Sequence, residues 1–329
     1  MGYLGSSRCG LRSAPFDSSG TGRGEERAPA ALRAAGLPAV FGAADAGDVA
    51  PPLRDPVRDP DTGVIALADL RVSSQALREA VAATLRRAER PLVLGGDCTL
   101  LLGTVAGVRD AVGRVGLWFV DDHADYLDGS SSPTGEAADM ELAILTGHGP
   151  PGLVDLGGMV PLVEAEDVVI LGHRPASLHT DVALELGRVP ASIGRMAAEE
   201  VAAAGAGEVG KRWARALADR GPGWLHLDLD ALDEATLPAV TYPQPRGLDW
   251  DTFVALARPL LASDALVGVS VADFQLRPGR GRRACAPPRR RARQRAGVTR
   301  LGAAPACRAQ RSGAGVEPTQ PWVTRPHRF

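Results

Sequence analysis

Lysine is almost missing from this chain: Lys211 is the single one, and every other basic residue is arginine. That one-sidedness reads as coding bias rather than as chemistry. No apolar run is long enough to cross a bilayer as a helix, so no membrane partner is expected. The N-terminus has neither the charged start nor the continuous apolar stretch of a secretory signal, so export is not expected. The four cysteines (Cys9, Cys98, Cys285 and Cys307) follow neither a zinc-finger spacing nor a disulfide framework. A reduced, cytoplasmic compartment fits them best. No internal repeat is visible. What is present is 329 residues with 45% hydrophobic content, ample for one large α/β domain.

The even balance of 37 basic and 39 acidic residues conceals an asymmetry. From Leu276 onward there are 14 arginines and one acid, Glu317. Such a tail could bind nucleic acid. This one lacks interleaved aromatics and any period, so nucleic acid is not the expected partner. The expected organisation is a folded body over 1–275 and an Arg/Pro-rich tail over 276–329. The tail reads either as disordered or as a change of reading frame near residues 276–280.

The body alternates apolar runs with helix-like segments. Candidate strands are Ala39-Val40-Phe41, Leu92-Val93-Leu94, residues 117–120, Val168-Val169-Ile170-Leu171, residues 225–229 and Leu266-Val267-Gly268-Val269. Most are continuous runs, the pattern of strands buried on both faces. Helical spacing appears at Leu77, Val81 and Leu85, at Val209, Trp213 and Leu217, and at Phe253, Leu256 and Leu260. A short helix is expected over 29–35, with Pro29 in its first turn. The first 27 residues look loosely ordered, and residues 128–135 read as a loop. Strand–helix alternation implies a three-layer α/β/α fold around a central, mostly parallel sheet. Ligands of such sheets bind at the carboxyl ends of the strands. Asp97, Asp121, Asp228 and Asp273 all fall at or near such ends.

Two segments carry most of the chemistry. Asp121-Asp122-His123-Ala124-Asp125 follows the apolar run 115–120, and Trp224-Leu225-His226-Leu227-Asp228-Leu229-Asp230 lies about a hundred residues later. Side chains at alternate positions of an extended chain share one face. Each segment therefore presents a row of hard ligands, with no Lys or Arg inside it. Buried carboxylates need a positive partner to offset their desolvation, and a divalent metal is the most plausible one.

With Gly95-Gly96-Asp97-Cys98-Thr99, Asp121-x-His123-x-Asp125 and Asp228-x-Asp230-x-x-Asp233, the chain resembles the arginase and agmatinase (ureohydrolase) family. The likeness extends to Ala28-Pro29-Ala30-Ala31-Leu32-Arg33 and to Gly172-His173-Arg174, and covers roughly residues 14–275. It implies an arginase-like fold and two Mn²⁺ ions that share an activated water. It implies hydrolysis of the guanidino group of a small arginine-like compound to urea and an amine, and often assembly into a homo-oligomer. Carried over by position, Asp121 and Asp228 would bridge the ions. His123 and Asp230 would complete one site, and Asp125 and Cys98 the other. Asp97 and Asp233 would lie just beyond the ligands and orient them.

Three positions depart from the family. Cys98 stands where most members have histidine. A thiolate favours Zn²⁺ or Fe²⁺ over Mn²⁺; the other reading is a small buried thiol that binds nothing. Members acting on hydroxylated arginine look similar at this position. Ala138 falls where the family has a proton-shuttling histidine. Glu136 or Asp139 could replace it, while Asp139 reads equally well as a helix N-cap. Asp273 stands where arginases carry a glutamate that holds the guanidinium, one methylene longer. His173 is a candidate for lining the pocket, His148 is a loop residue, and His226 reads as a satisfied strand histidine. Tyr242 and Arg246 either touch substrate or serve a turn around Pro243 and Pro245. The alternative to an active enzyme is a non-catalytic or impaired metal-binding member of the family.

Overall fold

The computed structural model describes residues 8–275. Expectations for the tail over 276–329 lie outside the described residues. In chain order the elements are β1 (Cys9–Ala14), α1 (Ala28–Ala34), α2 (Leu37–Phe41), β2 (Ala43–Asp48), α3 (Leu67–Arg86), β3 (Arg90–Gly95) and α4 (Leu100–Val112). There follow β4 (Gly116–Val120), α5 (Glu141–Leu145), β5 (Val168–His173), α6 (Thr180–Leu186), β6 (Gly194–Ala197) and α7 (Ala198–Ala203). The last are α8 (Ala206–Ala218), β7 (Gly223–Asp228), α9 (Trp250–Leu261) and β8 (Leu266–Ala272).

The strands form one sheet in the order β2-β1-β3-β8-β7-β4-β5-β6. Every neighbouring pair is parallel. Successive side chains of each strand enter opposite layers, which is why the strands read as unbroken apolar runs. Leu117, Phe119 and Ile170 meet Leu77 and Val81 of α3 and Leu101 and Val105 of α4. Trp118, Val120, Val169 and Leu171 meet Val209 and Leu217 of α8 and Phe253, Leu256 and Leu260 of α9. Each such buried side chain contributes about 1.5–3 kcal/mol relative to exposure. This is the expected three-layer α/β/α arrangement. No helix among the described residues is long and apolar enough to cross a membrane.

Two expectations are corrected. Ala39-Val40-Phe41 belongs to α2, not to a strand. Pro38 suits a helix's first turn, and Val40 is exposed, so its apolar character reflects no buried sheet position. The strand comes next, as β2, a polar run suited to the sheet edge. The first 27 residues are not loosely ordered throughout: β1 is an inner strand, buried along its length between β2 and β3. Its Ser, Gly and Arg content hid it. The short edge strand β6 was likewise too brief to read.

Helices α3 and α4 touch through two glycines one turn apart. A Cβ added at Gly103 would stand 2.4 Å from the Ser74 carbonyl oxygen, and one at Gly107 the same distance from that of Arg78. Both contacts are backbone, so the helices would have to separate. Gly103→Ala is therefore expected to destabilise the chain by about 1–3 kcal/mol, despite alanine's better helix propensity. Denaturant unfolding of the two proteins checks this; an unchanged or raised midpoint would contradict the close approach.

Candidate metal centre

Strand β4 ends at Val120 and the chain turns at once. Asp121 Oδ1 accepts the backbone N–H of His123 at 2.8 Å. Strand β7 ends the same way, with Asp228 Oδ1 accepting the N–H of Asp230 at 3.0 Å. An aspartate that accepts the amide two residues on closes a turn. The Asp-x-His and Asp-x-Asp spacings are thus two equivalent turns, not the shared face of an extended strand that the alternation suggested. Asp125 and Asp273 follow their strands with φ of +46° and +58°. Non-glycine residues seldom adopt this conformation, and such strain persists mainly where a functional site fixes it.

Strands β3, β8, β7 and β4 are neighbours, so their carboxyl ends deliver side chains to one stretch of sheet edge. Besides Asp17, Glu25 and Asp97, four sets of residues each bring ligand atoms within 4.8 Å of one another: Asp121, Asp122, His123 and Asp230; Asp121, His226 and Asp228; Asp228, Asp230 and Asp273; and Cys98, Asp125 and Glu141. The six residues expected to hold metal all fall within these sets. Asp121, Asp228 and Asp230 each belong to two of them. Glu141 and Asp122 were not expected. Asp122 arrives because the chain turns after Val120 instead of alternating. Glu141 opens the buried apolar helix α5, and an acid heading such a run is the signal that could have found it.

The electrostatics are those of acids gathered without a cation. Burial, reinforced by neighbouring carboxylates, pushes Asp121, Asp125, Asp228, Asp273 and Glu141 well above the usual range. Burial likewise raises Asp122 to about 7 and holds the Cys98 thiol well above its ordinary value. Asp230 is the exception: His123, against its carboxylate, outweighs burial and lowers it to about 2. His123 Nδ1 faces Asp122 and, at 3.3 Å, Asp230. Asp121 Oδ2, Asp230 Oδ1 and both oxygens of Glu141 are buried without hydrogen-bond partners, whereas Asp122 is ion-paired with His123 and Arg174. Unpaired buried oxygens of this kind are costly. Hard oxygens joined by one imidazole and one thiol form a donor set that fits divalent transition ions.

Surrounding residues brace the centre. Arg174 is fully buried; it donates to the carbonyls of Asp230, Leu232 and Gln244, each at 3.1 Å, and lies 3.4 Å from Asp122 Oδ2. Asp97 Oδ2 accepts the Ser18 N–H at 2.5 Å and Oδ1 accepts from Thr99, fixing the loop before α4. Asp233 accepts the N–H groups of Ala235 and Gly247 and so shapes the loop after β7. Ser270 Oγ lies 2.9 Å from Trp224 Nε1, which can only donate, and 2.8 Å from His226 Nδ1. The hydroxyl therefore accepts from Trp224 and pairs with Nδ1, while Nε2 faces Asp228 Oδ2 at 3.8 Å. His226, stacked on Phe119, has its pKa lowered to about 3 by burial. Its Nε2, too far from Asp228 for a hydrogen bond, is buried without a partner.

The candidates for proton transfer and substrate contact separate clearly. Both oxygens of Glu136 accept from Arg23, at 2.9 and 2.6 Å. Asp139 is not the N-cap of α5, which begins after Met140 without a side-chain cap. Its Oδ2 accepts from Ser132 and Thr134 at 2.6 and 2.7 Å, and its Oδ1 is unpartnered. Burial raises its pKa to about 6. Thr241 lies against both Glu25 and Asp273, the latter at 2.7 Å. One hydroxyl proton cannot serve two carboxylates, so one carboxyl carries its own, consistent with Glu25 pushed up to about 8 by burial. His173 is not brought into the metal sets. Its Nδ1 pairs with the Arg174 carbonyl, and it lines a 480 Å³ cavity beside Arg195, Glu199 and Glu200. Tyr242 sits against Arg23, Arg246 pairs with Glu199, and His148 lies 3.4 Å from the Tyr126 hydroxyl.

The geometry has close counterparts among known proteins. The chain is 33% identical over 245 residues to an arginase of Bacillus caldovelox, covering 72% of this chain and 80% of that one. The solved structure of a B. caldovelox arginase superposes with a TM-score of 0.72 at 28% identity, over 82% of this chain and 91% of that one. Proclavaminate amidino hydrolase from Streptomyces clavuligerus, at 20% identity, shares the fold with a TM-score of 0.60 over 84% and 86% of the two chains. The sequence profile of the Arginase family matches residues 7–276. A parallel sheet that brings acids from β3, β8, β7 and β4 to one edge, matched along the body of the chain, places this protein in the arginase family.

Proposed function

We propose that the chain hydrolyses the guanidino group of a small arginine-like compound, giving urea and an amine, with two divalent ions held at the sheet edge. The observation that carries this reading is the set of buried, unpartnered carboxylate oxygens after β4 and β7 and at the start of α5, gathered at the sheet edge. Following the family pattern, Asp121 and Asp228, the first acids at the ends of β4 and β7, would contact both ions. His123 and Asp230 would hold one, and Cys98 and Asp125 the other. Such a pair of ions acidifies and orients a water molecule. Manganese suits the carboxylates, while Cys98 would draw its half toward Zn²⁺ or Fe²⁺.

Asp273 is the residue for the guanidinium. Thr241 holds its carboxylate beside Asp228 and Asp230, where charged N–H donors could pair with it. Water adds to the guanidinium carbon, the carbon–nitrogen bond to the amine breaks, and the departing amine takes a proton. Ala138 cannot supply that proton, and Glu136 is engaged by Arg23. Asp139, with one oxygen unpartnered, is assigned the role.

Four outcomes follow. Full-length protein loaded with Mn²⁺ should release urea from at least one of arginine, agmatine or guanidinobutyrate, or hydroxyurea from hydroxyarginine. Asp121→Asn should cut the rate more than about 100-fold, because the loss of a ligand exceeds that of an outer partner. Folded, metal-loaded protein inactive on all four would favour the non-catalytic alternative. Mn²⁺ at 100 times its dissociation constant should raise the unfolding free energy by about 2.7 kcal/mol. A melting temperature unmoved by Mn²⁺ or by chelator would contradict metal binding. Asp273→Asn should remove one charged hydrogen bond to substrate, about 1.5–3 kcal/mol, read as a 10- to 150-fold loss in kcat/KM at unchanged metal content. Unaltered kcat/KM would release Asp273 from substrate contact.

A further inference from the structure

We infer that Glu141 is a metal ligand: together with Cys98 and Asp125 it completes the half of the centre in which cysteine replaces the usual imidazole. The inference rests on the two-ion reading and adds to it a ligand that neither strand-end motif contains. Its first support is proximity, since Cys98 Sγ, Asp125 and Glu141 each offer a ligand atom within 4.8 Å of the others. The second is isolation. Glu141 is fully buried, and the side chains within reach of its carboxylate are Asp125 and Cys98, members of the same set; no residue outside it pairs with either oxygen. Among the described residues no ion pair with Glu141 or Asp125 is formed; Arg23 is committed to Glu25 and Glu136, and Arg174 to backbone carbonyls and Asp122. A carboxylate placed beside a second acid and a thiol, with no cation among the side chains, needs a positive charge from outside the chain.

The backbone fixes this arrangement. Glu141 is the first residue of α5, and the Ala143 N–H of that helix donates to the Asp125 carbonyl at 3.3 Å. Leu127 N–H donates to the Asp139 carbonyl at 3.0 Å. The Cys98 thiol lies 3.3 Å from the Ala138 carbonyl, three residues before Glu141. The loop from β4 therefore returns so that the start of α5 stands over Cys98 and Asp125. The chemistry is complementary. Exchanging an imidazole for a thiol removes a nitrogen donor, and an added carboxylate restores a hard one with negative charge. Cys98 and Glu141 then form one ligand set with Asp125.

The test is Mn²⁺ binding to the chelator-stripped full-length protein, followed by equilibrium dialysis and calorimetry, with the apo melting temperature measured alongside. Wild-type protein should bind two ions per chain. Glu141→Gln, nearly isosteric, should bind one ion with unchanged affinity and the second at least about 100-fold more weakly, with its apo melting temperature not lowered. Two ions of undiminished affinity in Glu141→Gln would overturn the inference while leaving the two-ion reading intact. No ion bound by the wild-type chain would instead overturn that reading, and this inference with it. Should Glu141→Gln fail to fold, Glu141→Asp decides: its shorter reach should weaken the second ion alone by about tenfold or more, and equal affinity would overturn the assignment.

Discussion

Desolvation of carboxylates governs this structure. Asp121, Asp125, Asp228, Asp273 and Glu141 are buried side by side, and burial alone drives each toward its neutral form. A chain selected only for stability would replace them with apolar residues of similar size, usually at no loss. Their retention in a close-packed edge makes sense if positive charge of high density is bound among them. Arg174 offsets part of the charge at Asp122, and His123 that at Asp230. Neither forms an ion pair with a member of the Cys98, Asp125 and Glu141 set, which accounts for the asymmetry between the two halves.

The fold is arranged around that requirement. Neighbouring parallel strands end at a common edge, and their carboxyl ends are where backbone departs and side chains converge. The two aspartate turns after β4 and β7 repeat one device: one oxygen of the carboxylate closes the turn, and the rest of the group faces its neighbours. Behind them the apolar layers hold the strands in register, with Phe119 opposite His226 and Asp228 opposite Ala272. The Trp224, Ser270 and His226 chain then fixes the imidazole that stands beside Asp228. Core packing and site geometry are in this sense the same set of contacts.

Much of this was legible in the sequence, for identifiable reasons. Central strands such as Val168-Val169-Ile170-Leu171 are apolar on both faces and could not be mistaken for surface. Acids following them stood out because nothing nearby was basic. Strand β1 was hidden because an inner strand can be assembled from Cys, Gly, Ser and Ala when β2 and β3 supply its hydrogen bonds. Val40 misled because exposed valine and buried valine look alike in sequence. Glu141 and Arg174 were missed for another reason. Their importance lies in what the chain brings near them from elsewhere, Cys98 and Asp125 for the one and the loop after β7 for the other. Spacing within a segment carries no record of such meetings.

The central claim is that this acidic edge is a two-ion site, and anomalous diffraction from crystals grown with Mn²⁺ addresses it most directly. Two anomalous peaks roughly 3.5–4 Å apart are expected. One should lie among Asp121, His123, Asp228 and Asp230, the other toward Cys98, Asp125 and Glu141. Crystals equilibrated with Mn²⁺ that show no peak at this edge, and carboxyls paired directly with one another, would contradict it.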